Sequence, residues 1–141
     1  MDQVEFQHAH HRQWIKELDF FQDEVKIFQN ELVKVWQQHI QSFSIQEHVQ
    51  EYRSILMKKL VHIDDFRHGI LELERQMANG ELEGIDVRHA QLAQDIEAFR
   101  QDFATLKDTF HRFVIRNDWV NRLMIRAFLI AIEIMIISDP C

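Results

Sequence analysis

Residues 11–39 read HRQWIKELDFFQDEVKIFQNELVKVWQQH, and apolar or aromatic positions return at alternating intervals of three and four. The seam passes through His11, Trp14, Leu18, Phe21, Val25, Phe28, Leu32, Val35 and His39. A strand needs a period of two, whereas this spacing keeps one stripe of a helix facing a partner. Two further stretches share it. One runs Ile45, Val49, Tyr52, Leu56, Lys59, Ile63, Phe66, Ile70, Leu73, Met77, and the other Leu82, Ile85, His89, Leu92, Ile96, Phe99, Phe103, Leu106, Phe110, Phe113.

The seams define an all-α fold, an elongated antiparallel up-down bundle of three long helices. Ser44 and Glu47 have the spacing of a capping box at the start of the second helix. Asn79-Gly80 suits the left-handed residue that ends it. Gly84 leaves the third helix to begin between Glu81 and Asp86. Asn117-Asp118 offers a cap for a short apolar fourth helix, Trp119 to Ile137, stopped by Ser138-Asp139-Pro140. The expected organisation is a three-helix bundle over 1–117 and an apolar C-terminal helix and tail over 118–141. Short connections make consecutive helices antiparallel, which sets Trp14 beside Leu73 and His89, Phe21 beside Phe66 and Ile96, and Phe28 beside Lys59 and Phe103.

Composition narrows the function classes. With three glycines and one proline in 141 residues, the chain lacks the turn formers of a many-stranded β protein. A net charge of −7 argues against nucleic-acid binding. The single cysteine, Cys141, cannot form an internal disulfide, and the acidic start Met1-Asp2-Gln3-Val4-Glu5 lacks a signal-peptide core; both suit a reducing cytoplasm.

The run His11-x2-Trp14-x2-Glu17-Leu18-x2-Phe21-x-Asp23-Glu24-x3-Phe28-x3-Leu32-x2-Val35 resembles a group of small bacterial helical-bundle proteins. The resemblance lies mainly in residues 11–35. It implies a bacterial, cytosolic bundle and carries no activity.

Nine histidines make a metal centre worth testing. A hemerythrin- or ferritin-like bundle needs imidazoles and carboxylates converging from facing helices. His68 and Glu72 stand one turn apart, and Glu24 and His62 flank one layer of the first helical interface; these four are the candidate ligands. His8, His10 and His11 form a second cluster, yet neighbours one and two apart on a helix point in different directions. His89, on the third seam, reads either as a neutral core histidine or as a proton-sensitive switch. Lys59 is the seam's one cation, and its stem packs while its ammonium reaches outward. There is no phosphate-binding loop, His-Glu-x-x-His or Cys-x-x-Cys, so neither a cofactor nor an enzymatic activity is expected.

Residues 127–137 are apolar on every face except for Glu133, and Arg112, Arg116, Arg122 and Arg126 precede them. The stretch is short for a membrane span, which takes about 20 apolar residues. Burial against protein is the expectation, as a fourth helix or an oligomer contact, with membrane contact through residues 119–137 disfavoured. The leading function is therefore a non-enzymatic interaction or scaffold module that binds a protein partner or itself. A metal-binding bundle and a membrane-surface protein attached through this helix are the alternatives.

Overall fold

A computed structural model describes residues 3–137, with residues 118–125 described as helical backbone alone. It contains α1 (Gln3–Gln38), α2 (Phe43–Ala78) and α3 (Ile85–Ile137), and no strand among the described residues. The all-α bundle legible in the seams is the observed architecture.

Side-chain contacts fix how the helices run. His8 and His11 near the start of α1 meet Glu74 near the end of α2, and Gln29 meets Met57, so α1 and α2 are antiparallel. Tyr52 meets Phe110 and Phe66 meets Phe99, so α3 reverses again. Consequently α1 and α3 are parallel. Glu17 binds Arg100 and Glu24 binds Lys107 (2.7 Å), two ion pairs one heptad apart at the same offset.

The core is the three seams brought together. Leu18, Val25, Phe28, Leu32 and Val35 of α1 pack with Leu56, Ile63 and Ile70 of α2 and with Ile96, Phe99, Phe103 and Phe110 of α3. The aromatic rings form its centre. Phe103 lies 4.8 Å from Phe21, 5.8 Å from Phe99 and 6.1 Å from Phe28, measured between ring centroids. Lys59 is half-buried with its ammonium over the Phe99 ring at 5.3 Å, so the seam's cation is held by an aromatic face.

Two local features differ from the expected pattern, the cap of α2 and the place of Leu82, while the left-handed glycine after Asn79 follows it. The N-cap of α2 is Ser42, whose extended backbone lets Oγ accept from the Ile45 amide; Ser44 lies within the helix. The α2–α3 connection takes two left-handed residues, Gly80 and Gly84, both at φ 73°. A β-carbon is disfavoured in that conformation. Leu82, expected on the third seam, is exposed in this connection.

The largest difference concerns the fourth helix. Residues 119–137 are helical, but they continue α3 without a break, making one helix of 53 residues. No glycine or proline occurs between Ile85 and Ile137 to interrupt it. Asn117 does not cap a new helix: it is buried, and its Nδ2 donates back to the Phe113 carbonyl at 2.8 Å. His39, at the end of α1, donates from Nε2 to the Asn117 carbonyl at 3.3 Å. The expected stop at Ser138-Asp139-Pro140, like Cys141, lies outside the described residues. Since α1 and α2 turn beside Asn117, α3 continues beyond that turn for about 20 residues, roughly 30 Å, and residues 126–137 of it are exposed.

Phe110 is fully buried against Phe28 and Tyr52. Phe110→Ala should cost about 3–5 kcal/mol in a urea titration. A loss below about 1 kcal/mol would contradict this packing.

Candidate functional site

The two ends of the bundle carry the unusual chemistry. At the end where α1 begins, His11 occupies a seam position with only 1% of its surface exposed. Its Nδ1 lies 2.8 Å from Glu74 Oε1, and its Nε2 lies 2.9 Å from His89 Nδ1. His8, one turn earlier, places Nδ1 2.7 Å from the other oxygen of Glu74. One α2 carboxylate thus takes two α1 imidazoles, and His11 joins it to α3.

These distances settle the protons for a neutral His11. An ionised carboxylate only accepts, so His11 donates from Nδ1 to Glu74. Its Nε2 must then accept, and His89 donates from Nδ1. Glu74, His11 and His89 form a directed chain in which each bond fixes the next tautomer. Rings enclose it: His89 stacks on Trp14 at 4.9 Å, as the seam register anticipates, and on His10 at 5.8 Å. Beside it, the buried Gln7 donates to Asp86 Oδ1 at 2.8 Å, and Gln3 reaches the same oxygen at 3.0 Å. Asp86 lies in the first turn of α3, where a negative charge is favoured.

The histidine trio therefore divides by face. His8 and His11 are three apart and share Glu74, while His10 turns to the α3 side and stacks. Glu74 is the member that sequence reasoning missed. It lies one residue beyond the seam position Leu73, and its polarity there is the signal that could have found it.

The four candidate metal ligands do not come together. Glu24 is held by Lys107, Glu72 by Arg75 at 2.7 Å, and His68 stands 3.7 Å from Asp64 on its own helix. His62 is exposed. Among the described residues no group of three or more histidine, cysteine or acidic side chains is arranged to hold a metal ion. The Glu74–His11–His89 chain can hold and shift a proton. It has no hydroxyl or thiol nucleophile within it, since Ser42, Ser44 and Ser54 lie toward the opposite end of α2.

At that opposite end residues 126–137 of α3 are exposed all round. Phe128 is 67% exposed, Met135 73% and Ile137 83%, and Leu129, Ile130, Ile134 and Ile136 are exposed with them. Among the described residues no helix is long and apolar enough to cross a membrane. A shallower apolar groove of about 360 Å³ lies between α1 and α2, where Leu32, Val33 and Trp36 face Val49 and Met57. It is open to solvent and holds Arg53 as its only charged group.

No protein-family model, curated protein or solved structure matches the chain.

Burial holds both His11 and His89 below the ordinary histidine value; the other imidazoles push the same way, and Glu74 opposes it at His11. Above the unfolded value of about 6.5 both folded and unfolded imidazoles are neutral. As pH falls below it, the unfolded chain takes up protons first, so stability drops until the folded imidazoles protonate too. Urea midpoints should therefore decline between about pH 6.5 and 5, above the range where carboxylates titrate. His89→Leu should flatten that decline. Equal slopes in parent and variant would show that this cluster is not its source.

Proposed function

We propose that this protein is a non-enzymatic helical-bundle module, an interaction or scaffold element that contacts protein through the apolar end of α3. The observation that carries the reading is the exposure of residues 127–137 on every face of a helix that has left its bundle. Continuous apolar surface of this kind, unlike scattered exposed leucines, marks a place where another molecule sits. A helix apolar all round is stable when surrounded, whereas one meant for water keeps a polar face.

Glu133 favours protein over lipid as the surrounding medium. It interrupts the apolar run near its middle, where an interface supplies a cation or solvent access and a hydrocarbon layer supplies neither. The membrane-surface alternative starts from the same exposed residues and has this carboxylate against it. The single cysteine supports a cytoplasmic setting, and the resemblance of residues 11–35 supports a bacterial one.

A photo-crosslinking amino acid at position 128 of the full chain, activated in the native cell, tests the reading. Covalent adducts to protein are the expected product. Adducts to lipid alone, or flotation of the purified chain with phosphatidylglycerol-containing vesicles without any protein adduct, would replace it with the membrane-surface reading.

A further inference from the structure

We infer that the molecule seated on the end of α3 is a second copy of this chain, with the two helices antiparallel and Arg126 of each copy against Glu133 of the other. The inference rests on the reading of this helix as a protein contact and adds the identity and orientation of the partner.

The charge pattern carries it. Arg126 and Glu133 are the only charged residues between 126 and 137, and both are exposed. They are seven residues apart, so they lie on nearly the same face with a rise of about 10.5 Å between them. That separation is too great for an ion pair within one helix, and neither joins an ion pair with any described residue. A helix with a cation at the start of an apolar stretch and an anion two turns further on complements itself when reversed. About a twofold axis between residues 129 and 130, each Arg126 meets a Glu133, and the pair forms twice. In a parallel twofold pair, flanking residues of the same heptad position fall on opposite sides of the seam, so neither Arg126 nor Glu133 would meet its counter-charge.

The apolar residues fit the same register. Ala127, Ile130, Ile134 and Ile137 recur at intervals of three and four immediately beside the line joining the two charges. Such a stripe forms a helical seam, and flanking charges choose its orientation. Reversal also brings the end of each α3 toward the α1–α2 turn of the other copy, where Ile40 and Phe43 are exposed. One antiparallel pair leaves Phe128, Leu129, Ile132 and Ile136 facing outward. Two pairs closing on each other cover those faces too, so the assembly contains an even number of chains.

A charge swap in the full chain tests this. Sedimentation equilibrium of the parent should give an even multiple of 17.1 kDa. Arg126→Glu alone sets carboxylate against carboxylate, and Glu133→Arg alone sets cation against cation. Each should weaken assembly by roughly tenfold at low salt, while the double variant R126E/E133R should recover it. Because both positions are solvent-exposed, circular dichroism should show the same helix content in all four proteins. Three variants equally weakened, or three equal to the parent, would overturn the antiparallel pairing. A monomeric parent whose position-128 crosslinker captures a different protein would overturn self-association and leave the protein-contact reading standing. A monomeric parent that attaches only to vesicles would remove both.

Discussion

The Phe103 ring stacks on Phe28 at 16° and contacts Phe21 and Phe99, tying α1 to α3 at the middle of the molecule. Bulky rings in a close-packed seam cannot slide by a residue without opening voids, so this layer sets the axial position of α3. The Glu17–Arg100 and Glu24–Lys107 pairs repeat the same offset on the partly exposed margin of the interface. Both ends of the molecule follow from that register. Near the start of α1, His11 is brought level with His89. Near its end, His39 is brought level with Asn117, and residues 126–137 of α3 lie beyond the bundle's cover.

The closed end shows how polar groups are accommodated at a seam. A buried polar side chain without a partner is costly, by about 1–3 kcal/mol. His11 and Gln7 avoid that cost through charged acceptors on different helices, Glu74 of α2 and Asp86 of α3. These bonds are directional where the aromatic layers are not, and they tie the start of α1 to both neighbours. The same arrangement makes this end sensitive to protons: a charged His11 would gain attraction to Glu74 but could no longer accept from His89.

The sequence pattern made the bundle legible because burial in a long helix is periodic. Leu18, Val25, Leu56, Ile63, Ile96 and Phe110 were all identifiable by spacing, and the hairpin register correctly placed His89 against Trp14. Hydrogen bonding was not legible in the same way. Glu74 lies beside the seam, and its choice of His8 and His11 depends on side-chain reach across an interface. The candidate ligands were paired by layer, Glu24 with His62, and by helical turn, His68 with Glu72; lysine or arginine takes both carboxylates, and His68 stands nearest Asp64. Ser42 and Ser44 are equivalent in composition, and only the backbone conformation of Ser42 selects it as the cap.

Asn117-Asp118 was the most misleading signal, and its resolution decides what the C-terminal residues can do. Asparagine and aspartate cap helices when the preceding backbone is extended; inside a helix they cost only a few tenths of a kcal/mol relative to average residues. With Phe110 and Phe113 already docked and no glycine or proline before Ile137, continuing the helix retains its backbone hydrogen bonds, whereas a reversal would forfeit several. A folded-back fourth helix could have covered its own apolar faces against the bundle. A continuous α3 cannot. The uninterrupted helix therefore leaves residues 126–137 exposed instead of covering them against the bundle, and it holds Arg126 and Glu133 on one helix at a fixed spacing. In the proposed pair that fixed spacing lets two charges specify direction: on a flexible tail the same residues could pair in either orientation, but on a helix only a reversed copy aligns both.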